Sequence, residues 1–511
     1  MNLSQMISAT AQKQGTKTAL NWEGDIITFA DLDQQVAAYA ALLSKLGVQT
    51  GDRMALQLTK RKEFVFLHLA CLAIGGVTLP LNTDYKTDEV EYFLSDSGSK
   101  LLVTDTSRYR KHRTLMESLG VQSVIADAEG SGNVPSLPTL LKGIHSPEAP
   151  TYPAQDDDLA MICYTSGTTG RSKGAMISHR NLAANMLDLK KAWHWTADDV
   201  LLHVLPLFHI HGLAVALHGS LNTGSTAIVH EKFNPERTWQ TLAQESCTML
   251  MGVPTIYQRL MNAWETLPAA PELSSLRLFI SGSAPLSAKL FNTFENTTGF
   301  RILERYGMTE TGMNTSNAYE VSDRKAGSVG FPLPGVRVQI ADPKGDDVEP
   351  GEVGEILLQG ENVFQGYWRM PDKTSESFIR GWFRSGDLGY QDPADNMRLY
   401  IVGRAKELII TGGYNVYPKE IEAVIGDHPA VLDSAVIGVP DEDFGERVTG
   451  VVELKQGHPA PLPREIIALC KEKLAGYKCP KDVIIIDALP RNAMGKIRKN
   501  VLVDQYSDTS K

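Results

Sequence analysis

Cysteine is scarce. The five in 511 residues, Cys71, Cys163, Cys247, Cys470 and Cys479, are scattered and never in C-x-x-C spacing. That leaves no basis for a disulfide framework or a cysteine-bound zinc, and it fits a reducing compartment. Positive charge is short as well: 50 Lys and Arg against 60 Asp and Glu give a formal charge of -10, the opposite of the basic face of a general nucleic-acid binder. Any anionic ligand must therefore meet locally placed cations. Long apolar runs are missing too. The most apolar stretch, FVFLHLACLAIGGVTLPL at 64–81, is broken by His68, Gly75, Gly76, Thr78 and Pro80. It reads as a buried helix, a glycine turn and a strand rather than a membrane span. The opening MNLSQMISATAQKQGTKTAL has neither the charged-then-apolar layout of a signal peptide nor the arginines of a transit peptide. The expectation is a cytoplasmic protein with no nucleic-acid partner and no membrane span.

What is present is a globular composition, 42% hydrophobic and 22% charged, in a chain too long for one ordinary core. The stretch ITFADLDQQVAAYAALLSKLG at 27–47 has helical apolar spacing after Thr28 and stops at Gly47. The runs DRMALQL, SKLLVTD and QSVIAD read as strands, so the first part alternates helix and strand as an α/β sheet does. Residues 127–158 read as a surface connection feeding the strand LAMICYTS. After about residue 330 glycine and proline rise, and FPLPGVRVQIAD and GEVGEILLQG look like antiparallel strands. Beyond YIVGRAKELIITGG, two helical runs around DSAVIGV and VTGVVEL make a compact α+β unit of usual domain size.

The stretch YTSGTTGRSKG at 164–174 suits phosphate: glycines admit the backbone, and the NH groups with Thr165, Ser166, Thr168 and Thr169 donate to phosphate oxygens. It is not a Walker A loop, because Gly170 is followed by Arg171 rather than Lys, and Lys173 is followed by Gly174 rather than a hydroxyl. Together with RYGMTETG (305–312), RSGDLGY (384–390), GRAKELIITGGYNVYPKEIE (403–422) and PRNAMGKI (490–497), it resembles the ordered motifs of the adenylate-forming superfamily of acyl-CoA synthetases. The resemblance implies a large N-terminal domain of α/β sheet subdomains with a small β-rich part, residues 1–403, followed by a small mobile α+β domain, residues 404–511. It also implies a two-step reaction: a carboxylate attacks the α-phosphate of MgATP, and coenzyme A then displaces AMP.

Roles carry over from the same motifs. The loop of Thr165, Ser166, Gly167, Thr168, Thr169, Gly170 and Lys173 would hold the outer phosphates. Glu310, with Thr165, would hold Mg²⁺, which often takes only one or two protein carboxylates beside phosphates, and Thr309 would stand beside it. Ser283, Ala284, Glu304, Tyr306, Gly307 and Met308 would receive the nucleotide, and Asp387 and Arg404 its ribose. Lys496 would bridge the attacking carboxylate and the α-phosphate. Lys406 would be the hinge, while Gly412, Gly413 and Tyr414 would form the coenzyme A loop. Lys496 is then also a candidate target of a lysine acetyltransferase, since acetylation removes its charge.

Arg305 points to the acid. Related ligases commonly carry glycine there, and an arginine would fill the pocket and leave a charge asking for an anion. A second, non-reacting carboxylate on a short acid is the simplest occupant. The surrounding stretch, with PLFHIHG, resembles malonyl-CoA synthetases, which makes malonate, and methylmalonate beside it, the expected substrate. His209 would help hold it, with Arg171 and Arg259 as weaker anion contacts. The alternatives are another short-chain or aromatic acid, or a stand-alone adenylation domain that loads a carrier protein. Arg305 paired with Glu304 would leave an ordinary pocket.

Overall fold

The computed structural model describes residues 3–128, 130–144, 152, 154–165, 171–441, 443–455, 457, 461–492 and 495–507. Its architecture follows from local signals that act independently. Thr28 accepts a bond from the Asp31 amide while Asp31 reaches back to Thr28, and this capping box starts the helix Phe29–Lys45. Gly47, at φ 82°, turns the chain after it. The apolar stretch at 64–81 resolves into the helix Lys62–Ala73, a turn at Gly75 with φ 74°, and the strand Val77–Pro80. That helix is buried on every side because it lies inside the protein.

Among the described residues the strands form four sheets. A nine-stranded sheet has the parallel strands Val200–His203, Met249–Gly252, Leu278–Ser281 and Leu303–Met308 at its centre. The chain then turns back in the antiparallel strand Gly312–Ser316. A seven-stranded sheet carries Arg53–Gln57, Val77–Pro80 and Leu159–Thr165 in parallel, with Lys173–Ser178 returning antiparallel to the last. Continuous apolar runs suit such strands, since helices cover both faces. The segments at 336–341 and 354–360 pair antiparallel, as their alternation suggests, in a third sheet with Trp382–Asp392 and Arg398–Arg404.

The fourth sheet is built on the long hairpin Val431–Asp441 and Gly445–Leu454, with the helices Pro418–Gly426 and Pro463–Lys473. It has its own apolar cores, one around Ile421, Ile425, Val436 and Ile466, the other around Ala435, Ile437 and Leu502. A closing helix, Lys499–Ser507, packs here, an element the sequence pattern does not announce. No helix of the described residues is long and apolar enough to cross a membrane.

Candidate functional site

Four groups of side chains converge where the first three sheets meet the small C-terminal unit. The first lies at the phosphate loop. Thr165 ends one strand and Lys173 begins its antiparallel partner, and the two pair directly. Residues 166–170, which carry Ser166, Gly167, Thr168, Thr169 and Gly170, lie outside the described residues. Across from the strand ends, Glu310 sits in the turn after Leu303–Met308, with Thr309 beside it, and is 7% exposed. The Tyr367 hydroxyl donates to Glu310 Oε1 at 3.0 Å and the Thr165 hydroxyl lies 3.4 Å from the same atom. Lys173 stands over the Tyr367 ring with Nζ 3.8 Å from its centroid. Burial pulls the Lys173 pKa down, and Glu310 opposes it. Arg171 stacks instead on Tyr92, 5.4 Å from its ring centre. Tyr367 is a member that the motif reading missed. It is 57 residues from Glu310, with no local pattern to mark it.

The second group is made by a cross-strand pair. Asp387 and Arg404 face each other on adjacent strands, with Arg404 Nε 2.9 Å from Asp387 Oδ1. The Tyr306 hydroxyl donates to Asp387 Oδ2 at 2.6 Å, so the expected adenine and ribose residues come together. Met308 Sδ lies 4.0 Å from the same hydroxyl. Gly307 is required locally, because a Cβ there would fall 2.2 Å from the Gly312 carbonyl across the hairpin.

The third group brings in the C-terminal unit. Lys496 is half-buried and close enough to Arg404, Asp387 and Glu407 for their charges to act on it. Burial lowers its pKa first, Arg404 lowers it further, and Asp387 and Glu407 oppose. Its position is set by Gly495, at φ 74°, where a Cβ would stand 3.2 Å from Thr255 Oγ1 on the large domain. Lys406 is exposed on the turn Ala405–Glu407, and its charge acts on Lys173. Gly412 and Gly413, at φ 57° and 82°, form an exposed hairpin tip next to Tyr414, which stacks on Tyr477. They lie apart from the other groups.

The fourth group surrounds Arg305. Successive strand residues face opposite ways, and Glu304 and Arg305 do not pair. Glu304 accepts the Leu286 amide at 2.9 Å, and burial pushes its carboxyl up to about 7. The Arg305 side chain crosses Gly282, where a Cβ would lie 2.4 Å from its Cζ. Arg305 is 2% exposed, and none of Nε, Nη1 and Nη2 has a partner. Burial drives its pKa down to about 9, with Tyr257 and Glu304 acting against the shift. His209 and His211 feel its charge. Burial first and Arg305 second hold His209 down to about 4 and His211 well below its ordinary value. The His211 amide donates to His209 Nδ1 at 3.2 Å, which leaves the His209 proton on Nε2. Ser283, at φ 68°, lies 3.2 Å from His211 Nδ1, and Ala284 follows it half-buried. Arg259 is exposed on the helix Pro254–Trp264, whose buried Tyr257 is the residue that meets Arg305.

No three His, Cys, Asp or Glu side chains converge as a metal cage among the described residues. The single carboxylate of Glu310 beside a threonine hydroxyl fits Mg²⁺ that arrives on nucleotide phosphates, since that ion keeps most of its ligands as water and phosphate.

Comparison with known proteins agrees with this geometry. Residues 7–368 match the AMP-binding enzyme family, and residues 420–496 match the AMP-binding enzyme C-terminal domain. ATP-bound MatB from Rhodopseudomonas palustris superposes with a TM-score of 0.93 at 44% identity, covering 100% of both chains. The mitochondrial malonate–CoA ligase ACSF3 of Mus musculus is 36% identical over 90% of this chain and 83% of its own. An oxalate–CoA ligase of Arabidopsis thaliana is 34% identical over 99% of this chain and 98% of its own. The chain belongs to the AMP-binding, adenylate-forming enzyme family. Within that family it is an AMP-forming acid–CoA ligase, with ATP, Mg²⁺ and coenzyme A as its co-substrates and cofactor.

Proposed function

We propose that the acid is malonate, with methylmalonate as a second accepted substrate, and that the product is malonyl-CoA formed through a malonyl-adenylate. The observation that carries this reading is Arg305: a buried guanidinium with three unpartnered nitrogens. A buried, unpaired charge is costly, and a carboxylate offering bidentate bonds is the ligand that removes the cost. The histidines beside it are neutral, and neither Tyr257 nor Glu304, the acidic groups that act on it, hydrogen-bonds it. His209 Nε2–H supplies a further donor. The relatives that activate malonate and oxalate also act on short dicarboxylates.

On this reading the non-reacting carboxylate docks on Arg305, and the other carboxylate points toward Lys496. Tyr306, Asp387 and Arg404 orient the nucleoside, while Lys173 and the loop from Thr165 take the outer phosphates. Glu310 would hold the Mg²⁺, whose charge would neutralise them. Lys496 stabilises charge as the carboxylate oxygen bonds to the α-phosphorus and pyrophosphate leaves. No protein nucleophile is required, so the rate rests on alignment and electrostatics. Coenzyme A thiolate then attacks the acyl carbon, and AMP departs. Residues 404–511 are the unit that turns between the steps, with Lys406 at the hinge, withdrawing Lys496 and presenting the Gly412–Gly413 tip.

The test is AMP and pyrophosphate release with MgATP and coenzyme A across malonate, methylmalonate, oxalate, acetate and butyrate, for wild type and Arg305→Ala. Malonate should lead, and the variant should lose it. A monocarboxylate in first place overturns the substrate assignment and leaves the ligase chemistry standing.

A further inference from the structure

A chain of hydrogen bonds runs behind the histidine pair and touches none of the groups assigned above. Lys60 stands in the loop between the strand Arg53–Gln57 and the helix Lys62–Ala73. Its Nζ lies 2.9 Å from Nδ1 of His203 and 2.8 Å from the His203 carbonyl oxygen, and burial holds its pKa well below the ordinary lysine value. His203 ends the strand Val200–His203 and is 2% exposed. Its Nε2 lies 2.8 Å from the carbonyl oxygen of Gly212. The Gly212 carbonyl only accepts, so neutral His203 carries its proton on Nε2, and its Nδ1 accepts a hydrogen bond from the Lys60 amino group.

Gly212 belongs to the π-helical turn His211–Leu217, in which the His218 amide reaches back five residues to the Leu213 carbonyl. Such wide turns cluster at functional sites because they re-aim side chains. This one is confined: a Cβ on Gly212 would lie 2.1 Å from the Pro206 carbonyl. The turn begins with His211, whose amide bonds His209, and both rings lie within reach of the Arg305 charge. Lys60 and His203 come from the two largest sheets, so the bond between them ties those sheets together at the turn.

We propose that Lys60 and His203 are positioning residues for acid selection. By holding the Gly212 carbonyl they hold the π-turn, and with it the angle at which His209 and His211 meet the acid on Arg305. A pocket of this kind loses selectivity when its supporting groups let it move by about 1 Å. The inference rests on the acid lying between Arg305 and the two histidines.

Steady-state AMP release tests it in Lys60→Met, His203→Leu and His203→Gln, varying malonate at saturating ATP and ATP at saturating malonate, with melting curves alongside. Lys60→Met and His203→Leu should raise the malonate KM about tenfold and leave the ATP KM within about twofold. His203→Gln keeps a donor for Gly212 and should stay within about threefold of wild type. A malonate KM unchanged in Lys60→Met, or an ATP KM rising by the same factor, overturns the proposal, because the first removes the coupling and the second marks general loosening. Should His203→Leu fail to fold, the half-exposed Lys60 carries the comparison alone. Wild-type preference is measured first. If another acid leads, the substrate assignment falls separately, and the same KM ratios are read with that acid.

Discussion

Arg305→Met should make the enzyme more stable and nearly useless on malonate. Methionine fills much the same channel over Gly282 without charge. The guanidinium is 2% exposed and no protein group hydrogen-bonds any of its three nitrogens, so Tyr257 and Glu304 nearby offset its desolvation only in part. Replacing buried ionic groups by apolar ones of similar volume is often stabilising, and here the gain should be on the order of 1–3 kcal/mol. The opposite sign applies once acid is bound. Truncating one partner of a buried, hydrogen-bonded charge pair costs roughly 2–5 kcal/mol, which at about 1.4 kcal/mol per decade is a fall of roughly 30- to 4,000-fold in kcat/KM. Urea unfolding with and without malonate and a non-hydrolysable ATP analogue separates the two effects. Malonate at about 100 times its Kd should add about 2.7 kcal/mol to wild type and nothing to the variant, so the order of stabilities reverses or closes on adding the acid. A variant less stable than wild type without acid would refute the reasoning, because Arg305 would then have a partner. So would a variant that malonate still stabilises.

Lys496→Ala should abolish pyrophosphate release while leaving thioester formation from supplied malonyl-adenylate within about threefold of wild type; equal loss of both half-reactions would remove the lysine from the first step. Glu310→Gln keeps an acceptor for Tyr367 and Thr165 but loses the charge, so the Mg²⁺ needed for half-maximal rate should rise about tenfold; an unchanged Mg²⁺ curve would mean that the ion is held elsewhere. Acid should destabilise the fold well above carboxylate pH. Burial holds His179, His209 and His230 down to about 4, His203 and His218 to about 3, and His68 and His211 well below their ordinary value, while the unfolded chain takes those protons near 6.5. Stability therefore falls as pH drops from about 6.5 toward 4, by up to roughly 1.4 kcal/mol per unit for each histidine. Glu304, raised to about 7, works the other way between about 4.5 and 7 and offsets one of them. The net loss should be several kcal/mol per pH unit near pH 5.5, and denaturation midpoints that do not move between pH 6.5 and 5.5 would contradict it.

Much of this architecture is legible before any coordinates. A capping box, a glycine stop or a hydrophobic run broken by Gly75-Gly76 is a local statement, and Thr28, Gly47 and the 64–81 stretch fold as their neighbours dictate. The motifs at 305–312, 384–390, 403–422 and 490–497 announce their own residues, and Tyr306, Asp387, Arg404 and Lys496 do share one neighbourhood. What escapes is whatever depends on two distant segments at once. Tyr367 reaches Glu310 across 57 residues and Lys60 reaches His203 across 143, and neither tyrosine nor lysine carries a mark of its partner. The π-turn escapes for another reason. HGLAVAL has an ordinary apolar pattern, which does not tell a π-turn from an α-turn, and the closeness of Gly212 to the Pro206 carbonyl shows only in the fold.

Arg305 lies between these cases. Its charge is plain in the sequence, but its lack of a partner is a fact of three dimensions, and that lack is what gives it meaning. Had strand geometry turned it toward Glu304, the same letters would describe a satisfied pair and an uncharged pocket. Several unsatisfied buried atoms gather along the strands Leu278–Ser281 and Leu303–Met308 and the histidine turn that faces them: Ser281 Oγ, Glu304 Oε2, the three Arg305 nitrogens and His211 Nε2. Folded proteins rarely leave such groups open without a reason. A protein of net charge -10 cannot attract a dianion by its overall field, so on the malonate reading selection rests on the desolvated Arg305 and the histidines beside it. The same contact explains why acetate should fail. A site built to bond a second carboxylate rejects the analogue that lacks it, because binding acetate would seal the guanidinium in with no partner at all.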